Sequence, residues 1–161
     1  MAVWHPFGSY EEKAKYIIHS NRYMVLATCT KDAKPWANPV LYAYDDDYNL
    51  YFLSAIDSKH GENCVENPDV AFAIFDTNQP IGSKEGVQGE GKASLVAKAD
   101  LKKAIEAYSG RVFPNSTVAP TERYPPAEYS DPSEMRFFKI KVTQAYVTGP
   151  DRREPVDLAG E

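Results

Sequence analysis

The segment 24–76 restricts this chain to a fold built mostly of antiparallel strands. Within it, short apolar runs alternate with polar turns, a pattern that is typical of strands. A short helix predicted in this segment stops before Pro68, because the residue before a proline avoids helical backbone angles. The predicted elements are strands over 23–30, 36–44, 49–54 and 70–76, and a helix over 59–66.

The remainder of the chain predicts two further strands and two further helices. Ser9 and Glu12 form an S-x-x-E capping box, which starts a helix over 10–21. Gly89 and Gly91 weaken the strand predicted over 86–96 and indicate bulges or the close approach of another backbone. The other two elements are a helix over 101–108 and a strand over 135–148 with alternating apolar residues.

We expect a single domain over residues 1–161. A chain of 161 residues is about one domain in length, and 43% hydrophobic residues are enough for one core. The core is expected at 10–148, with a long irregular loop at 110–134 and a polar tail at 149–161. Six antiparallel strands with flanking short helices indicate a mainly β, closed or partly open barrel.

Charge and composition argue against several kinds of partner. The net charge of −5 disfavours nucleic-acid binding, which needs a basic field. No stretch approaches the ~20 apolar residues of a membrane span, and no signal peptide is recognisable. We therefore expect no membrane partner and a cytoplasmic location. The 11 tyrosines favour pockets and interfaces, because they combine apolar area with a polar tip.

No residue pattern predicts a metal site or a catalytic nucleophile. The three histidines and the two cysteines lack metal-ligand spacing. The aspartates at 45–47 lack the spaced ligands and the glycine of a calcium-binding loop. Neither Cys29 nor Cys64 has a recognisable histidine or acid partner, which argues against a catalytic nucleophile. Cys29 lies in an apolar strand and is expected to be a small core residue. The sequence leaves the catalytic residues unassigned.

Ser58, Lys59 and His60 stand where the helix over 59–66 begins. The first backbone N–H groups of a helix lack partners, so a hydroxyl and a cation there suit an anionic group such as the phosphate of a cofactor. Lys59 carries most weight, because a cation in the first turn is unfavourable with the helix dipole unless an anion is present. Two alternatives stay open: Ser58 as an ordinary N-cap, and His60 as a solvated residue.

Five short motifs follow one another along the chain: Pro35-Trp36-Ala37-Asn38-Pro39-Val40, Tyr51-Phe52-Leu53-Ser54, Ser58-Lys59-His60, Glu66-Asn67-Pro68-Asp69-Val70-Ala71 and Gly86-Val87-Gln88-Gly89-Glu90-Gly91. In this order and spacing they resemble the pyridoxamine 5′-phosphate oxidase-like family of FMN-binding split barrels. The resemblance extends over about 10–97 and, with less agreement, over 135–148.

The resemblance implies a six-stranded Greek-key split barrel that forms a homodimer, with two FMN sites at the subunit interface. Ser58 and Lys59 match the family's phosphate-gripping pair, and His60 stands where a second basic residue often lies. The other implied FMN contacts are Asn38, Pro39 and Val40 along the isoalloxazine ring, Ser54 at the end of the strand before the phosphate loop, and Gln88, whose counterpart in some members reaches the flavin from the partner subunit.

The implied function is that of an FMN-dependent oxidoreductase acting on a small-molecule substrate, since the cofactor carries the chemistry. The alternative is a non-catalytic protein of the same fold that binds a flavin, haem or deazaflavin, since one fold hosts many functions. Residues 151–157 do not match the basic, aromatic C-terminal segment of true pyridoxamine phosphate oxidases, so pyridoxine phosphate is not predicted as the substrate. The segment 110–134, with Tyr124 and Tyr129, either borders the substrate side of the flavin or packs on the barrel.

Overall fold

The structure is a computed structural model that describes residues 7–160. In this range, one antiparallel sheet of eight strands is flanked by four α-helices, none of them long and apolar enough to cross a membrane. The strands are β1 (Tyr23–Cys29), β2 (Pro35–Leu41), β3 (Ala43–Tyr44), β4 (Leu50–Ala55), β5 (Asp69–Ile74), β6 (Val87–Leu95), β7 (Met135–Thr148) and β8 (Arg153–Val156). The helices are α1 (Tyr10–Ser20), α2 (Lys59–Glu66), α3 (Leu101–Val112) and α4 (Pro120–Arg123), with 3-10 turns at Lys98–Asp100 and Pro126–Tyr129.

The strand order of the sheet is β2-β1-β5-β6-β7-β4-β3. The longest strand is β7, with 14 residues, and it pairs with β6 along one side. Along its other side, the first part of β7 pairs with β4 and its last four residues pair with β8. All of these pairs are antiparallel, and the sheet curves around one main core as a half-barrel. The predicted mainly β, antiparallel split-barrel class is confirmed.

Two short strands make the total eight rather than the six predicted. The strand expected over 36–44 is divided at Tyr42, because β2 pairs with β1 whereas β3 crosses over to pair with β4. The predicted tail at 149–161 contains β8, and Val156 and Leu158 are only 6% and 5% exposed because they pack on the main core. A strand of four residues, two of them charged, leaves little periodic signal in the sequence.

Alternate strand residues point into the half-barrel and form the main core. β6 has glycines there because larger residues do not fit. A Cβ on Gly89 would lie 2.4 Å from Phe72 Cζ, and a Cβ on Gly91 would lie 2.5 Å from the Lys141 carbonyl oxygen. The register between β6 and β7 shifts between Glu90 and Gly91, so the predicted bulge is confirmed. The core residues include Met24, Leu26, Val40, Phe52, Phe72, Ile74, Phe138 and Ile140.

The outer face of β4 and β7 is covered by α3 and the segment that follows it. Phe137 points outward from β7 and packs against Tyr108 of α3, with ring centroids 5.4 Å apart. Tyr124 and Tyr129 lie edge-on to Phe137, with centroids at 6.0 and 5.4 Å. The segment 110–134, predicted as an irregular loop, therefore includes the end of α3, α4 and a 3-10 turn, and it contributes to a second core.

Helix α2 closes one end of the half-barrel. The Asn63 side-chain amide donates a hydrogen bond to Thr28 Oγ1 of β1, at 2.9 Å, and Cys64 is part of the main core. Because β4 ends at Ala55 and the N-cap of α2 is Ser58, only a tight turn separates the end of an inner strand from the start of a helix.

Candidate functional site

Three polar side chains meet where β4 ends and α2 begins. Ser54 Oγ lies 2.7 Å from His60 Nε2 and 3.1 Å from Ser58 Oγ, and Ser58 Oγ lies 3.4 Å from His60 Nε2. The Ser54 residue is buried on the inner face, two positions after Phe52. We call Ser54, Ser58 and His60 the serine–histidine cluster. The sequence predicted all three as cofactor-binding residues, and the fold brings them together.

Ser58 is the N-cap of α2. Its hydroxyl accepts a hydrogen bond from the Gly61 backbone N–H at 3.1 Å and donates one to the Ala55 carbonyl oxygen at 2.7 Å. Position 61 needs glycine because a Cβ there would lie 2.4 Å from that same carbonyl oxygen. The N-cap alternative is thus correct for Ser58. It is compatible with anion binding, because the first N–H groups of the helix open onto the same turn.

His60 is half-buried and hydrogen-bonded rather than solvated. Burial lowers its pKa below the ordinary value near 6.5, so the imidazole is neutral around pH 7. The ring lies 6.2 Å from the ring of Phe52, measured between centroids. A neutral imidazole can exchange a hydrogen bond with Ser54 in either direction, depending on its tautomer.

Lys59 is exposed, and its ammonium group is held over an aromatic ring. Lys59 Nζ lies 4.1 Å from the ring centroid of Trp36 in β2, which is a cation–π contact. The charge is thereby directed towards β2. The lysine stem is long and flexible, so its ammonium can be drawn to an anion at the neighbouring helix terminus.

Three residues of β2 were predicted to contact the flavin, and two of them lie on the inner face of the sheet while the third lies on the outer face. Asn38 and Val40 lie on the inner face, because their partners in β1 are the core residues Leu26 and Met24. Pro39 is exposed on the outer face. Asn38 Oδ1 is buried and has no hydrogen-bond partner among residues 7–160. Such an oxygen is costly to leave unpaired, so a hydrogen-bond donor placed there would be stabilising.

A further cation lies beside Ser54, and sequence reasoning missed it. Arg136 in β7 is the cross-strand partner of Ser54 in β4, so both side chains lie on the inner face. The Arg136 side chain is only 11% exposed. Arg136 is two positions before Phe138 and four before Ile140, and this period-two pattern in the sequence could have predicted that it lies on the inner face of the sheet.

Gln88 is not brought to the serine–histidine cluster within one chain. It is exposed on the outer face of β6, where its Oε1 accepts a hydrogen bond from Arg153 of β8 at 2.5 Å. The strand pairing places it beside Ala73, whose neighbours Phe72 and Ile74 point the other way, into the core.

The expectation of a core cysteine is met by Cys64, which is buried, and not by Cys29, which is partly exposed. Both are free thiols, and burial raises the pKa of Cys64 to about 11, which keeps that thiol protonated near neutral pH. In the described part of the chain, no group of three or more histidine, cysteine, aspartate or glutamate side chains is placed to hold a metal ion.

Comparison with known proteins agrees with this fold. A family model described as pyridoxamine 5′-phosphate oxidase matches residues 10–149. The pyridoxine/pyridoxamine 5′-phosphate oxidase of Ehrlichia ruminantium is 37% identical over 91 residues, which are 56% of this chain and 45% of that protein. The corresponding protein of Ehrlichia chaffeensis is 39% identical over 77 residues, which are 48% of this chain and 38% of that protein. The matched region thus spans less than half the length of either relative.

Solved structures share the architecture. A haem-binding protein from Mycobacterium smegmatis superposes with a TM-score of 0.72 at 23% identity, over 98% of this chain and 62% of that one. At this level of identity, the likeness shows the fold alone. The family model, in contrast, covers nearly the whole sheet from α1 to the end of β7. The chain therefore belongs to the pyridoxamine 5′-phosphate oxidase-like family.

Proposed function

We propose that this chain is an FMN-dependent oxidoreductase that acts on a small-molecule substrate. The observation that supports this most is the serine–histidine cluster at the start of α2, with two hydroxyl groups and an imidazole within 3.4 Å of one another. The Ser54 hydroxyl, the first-turn N–H groups and nearby cations are donors of the kind that a phosphate monoester needs, and FMN carries such a phosphate.

The residues present fit this cofactor. Ser54, Ser58, Lys59 and His60 would hold the phosphate, and the inner-face Asn38 has an unpaired buried oxygen that suits an N–H or O–H of the flavin. Bound FMN would supply the electron or hydride transfer. The protein's part is to bind and orient, with the apolar inner wall around Val40 limiting access of water.

The proposal includes a homodimer and a cytoplasmic location. Within one chain, Gln88 faces away from the serine–histidine cluster, so a second copy would be needed for a glutamine to complete the flavin site.

The second candidate is a non-catalytic protein that binds a flavin, a deazaflavin or haem. It is favoured by the fold shared with a haem-binding protein, and by His60, whose neutral imidazole is the form that ligates iron. However, His60 Nε2 already lies 2.7 Å from Ser54 Oγ, so a haem iron would have to displace that hydrogen bond. This contact favours FMN over haem.

The first experiment is the absorbance of the purified protein, followed by mass spectrometry of the released ligand. We expect two flavin bands, FMN as the released ligand, and recovery of the bands when the apo protein is titrated with FMN. Turnover with NADH or NADPH and oxygen would then establish the oxidoreductase. A haem spectrum, or an apo protein that does not bind FMN, would contradict the proposal, and FMN binding without turnover would favour the non-catalytic alternative.

A pair of matched serine variants locates the site. Ser54→Ala should weaken FMN binding about tenfold, as expected for one lost hydrogen bond to a charged group. Ser94→Ala is the control, because Ser94 is exposed on the outer face of β6, whereas Ser54 is buried on the inner face of the sheet. Equal affinities of the two variants would place the cofactor elsewhere.

A further inference from the structure

Arg136 is a buried cation for which the fold provides almost no partner. Its side chain is 11% exposed, its Nε is buried, and no hydrogen bond joins its guanidinium to any of residues 7–160. The closest opposite charge is the carboxylate of Asp131, 3.7 Å from Nη1 and itself 92% exposed to solvent. A distance of 3.7 Å is too long for a hydrogen bond, so five N–H donors remain available.

We propose that Arg136 is an anion-binding residue of the site and that it binds the phosphate monoester of the cofactor together with the serine–histidine cluster. This inference rests on the proposed function, because it assigns a further residue to the same phosphate subsite. It names a residue 77 positions beyond Lys59, from a strand that no site motif in the sequence includes.

The placement of Arg136 comes from the register of β4 and β7. Ser54 and Arg136 are directly opposite each other in this antiparallel pair, so their Cβ atoms are about 5 Å apart on the same face. Ser54 Oγ in turn contacts both Ser58 Oγ and His60 Nε2. The Arg136 residue therefore adjoins the cluster that opens onto the start of α2, so that an anion bound there is within reach of its side chain.

Energetics separate Arg136 from a structural arginine. Arg111 donates hydrogen bonds to the carbonyl oxygens of Ile18, His19, Asn21 and Tyr42, and thereby joins α1, α3 and the β2–β3 junction. Arg136 has no such bonds, and its buried Nε has no hydrogen-bond partner in the described chain, which costs stability. Within residues 7–160 the only ion pair of Arg136 is the long contact with Asp131, whereas a bound anion would supply hydrogen-bond acceptors.

The chemistry of the ligand follows from the donors. A guanidinium can bind two oxygens of one phosphate side by side, and the flanking hydroxyls and first-turn N–H groups suit the others. The ammonium of Lys59, in contrast, lies over the Trp36 ring. Arg136 is thus the buried cation of the subsite, and Lys59 is its exposed cation.

The first test compares FMN with riboflavin, which lacks the phosphate. Wild-type apo protein, Arg136→Gln and Arg136→Lys are each titrated with both ligands. We expect wild type to prefer FMN at least about tenfold, Arg136→Gln to lose that preference with unchanged riboflavin affinity, and Arg136→Lys to be intermediate. Arg152→Gln is the matched control, because Arg152 is 80% exposed and lies next to β8. A preference for FMN that persists in Arg136→Gln, or that is absent from wild type, would overturn the inference.

Removal of the competing carboxylate should have the opposite effect. Asp131→Asn removes the carboxylate that lies 3.7 Å from Arg136 Nη1, so FMN should bind more tightly while riboflavin binding stays the same. Without ligand, Arg136→Gln should melt no lower than wild type, because it removes an unpaired buried charge. A lower melting temperature of the ligand-free variant would make Arg136 a structural residue and reject the inference.

Inorganic phosphate distinguishes failure of this inference from failure of the proposed function. If wild type binds neither flavin, the flavin assignment fails. The melting temperatures of wild type and Arg136→Gln are then measured in phosphate and in chloride at equal ionic strength. A phosphate-dependent rise in wild type that is absent from Arg136→Gln would support the anion site alone. No rise in wild type, or an equal rise in both proteins, would overturn it.

Discussion

At the scale of single residues, the two cations near the start of α2 are held in different ways. Lys59 is exposed and contacts the Trp36 ring, whereas Arg136 is buried beside Ser54. An exposed lysine exchanges easily between an aromatic ring and an anion, because neither contact buries the ammonium group completely. Lys59 is therefore expected to act through charge rather than through a fixed geometry.

Reversal of the charge at position 59 tests this role. Lys59→Glu places a negative charge beside the phosphate subsite, so FMN affinity should fall by at least about 1.4 kcal/mol, a factor of about ten. Flavin fluorescence during titration of the apo protein measures the change. Lys98→Glu is the control, because it makes the same charge change at an exposed position in the 3-10 turn before α3. Equal FMN affinities of the two variants would show that Lys59 does not contribute to FMN binding.

His60 gives the site a predictable pH dependence. Burial lowers its pKa below about 6.5, so between the folded and unfolded pKa values the unfolded chain binds more protons than the folded one. The stability that His60 contributes is therefore fully present above pH 6.5 and decreases as the pH falls through this window. Urea unfolding of the apo protein at a series of pH values should show a weaker decline for His60→Gln than for wild type. Parallel curves would show that the His60 pKa does not change on folding.

Residues close in the chain could be predicted from the sequence, whereas the buried cation could not. Ser58 and His60 were found because a helix start is a local signal. Arg136 lies 82 positions from Ser54, and only the register between β4 and β7 brings the two together. A sequence gives the face of a strand residue by its period but not the residue opposite to it.

At the scale of elements, the segment 110–134 packs on the sheet, although its prolines predicted an irregular loop. Tyr129 lies with its ring centroid 5.4 Å from Phe137 and 5.7 Å from Tyr124, on the outer face of β7. The serine–histidine cluster lies on the inner side of the same sheet. Of the two roles considered from the sequence, packing on the barrel is the one that these contacts support.

Tyr129→Ala should therefore lower stability and leave the cofactor in place. Loss of a partly buried aromatic ring from the cluster should reduce the free energy of unfolding by about 1–3 kcal/mol, measured by urea denaturation. FMN affinity should be unchanged, because the phosphate subsite lies across the sheet. Tyr16→Ala, at a tyrosine 57% exposed on α1, is the control for stability. If Tyr129→Ala instead kept the stability of wild type and changed turnover, Tyr129 would be a residue that lines the substrate pocket.

At the scale of the whole molecule, small side chains rather than tyrosines form the face on which a second copy would pack. Tyr42, Tyr51 and Tyr108 are buried in the two cores, so they are not available for an interface. The outer face of β1, β2 and β5 instead carries small or apolar side chains that are at least partly exposed. They are Val25, Ala27, Ala37, Pro39, Ala71 and Ala73.

The edge of the sheet limits how a second copy can attach. β2 is the terminal strand of the sheet, and Pro35 and Pro39 within it have no N–H to donate to a further strand. Strand addition is thereby disfavoured. The outer face beside β2 can still pack against the same face of a second copy, as in an isologous contact.

Ala71→Arg tests this interface and its link to the cofactor. Ala71 is exposed on β5, between Ala27 of β1 and Glu90 of β6, so an arginine there would stand in the middle of a face-to-face contact. Light scattering should give about twice 18.0 kDa for wild type and about 18.0 kDa for the variant. If each flavin site needs both subunits, FMN affinity should fall with dissociation. Ala99→Arg is the control, because Ala99 is exposed in the 3-10 turn before α3. A wild-type monomer at micromolar concentration would contradict the homodimer, and an Ala71→Arg dimer would place the contact on another face.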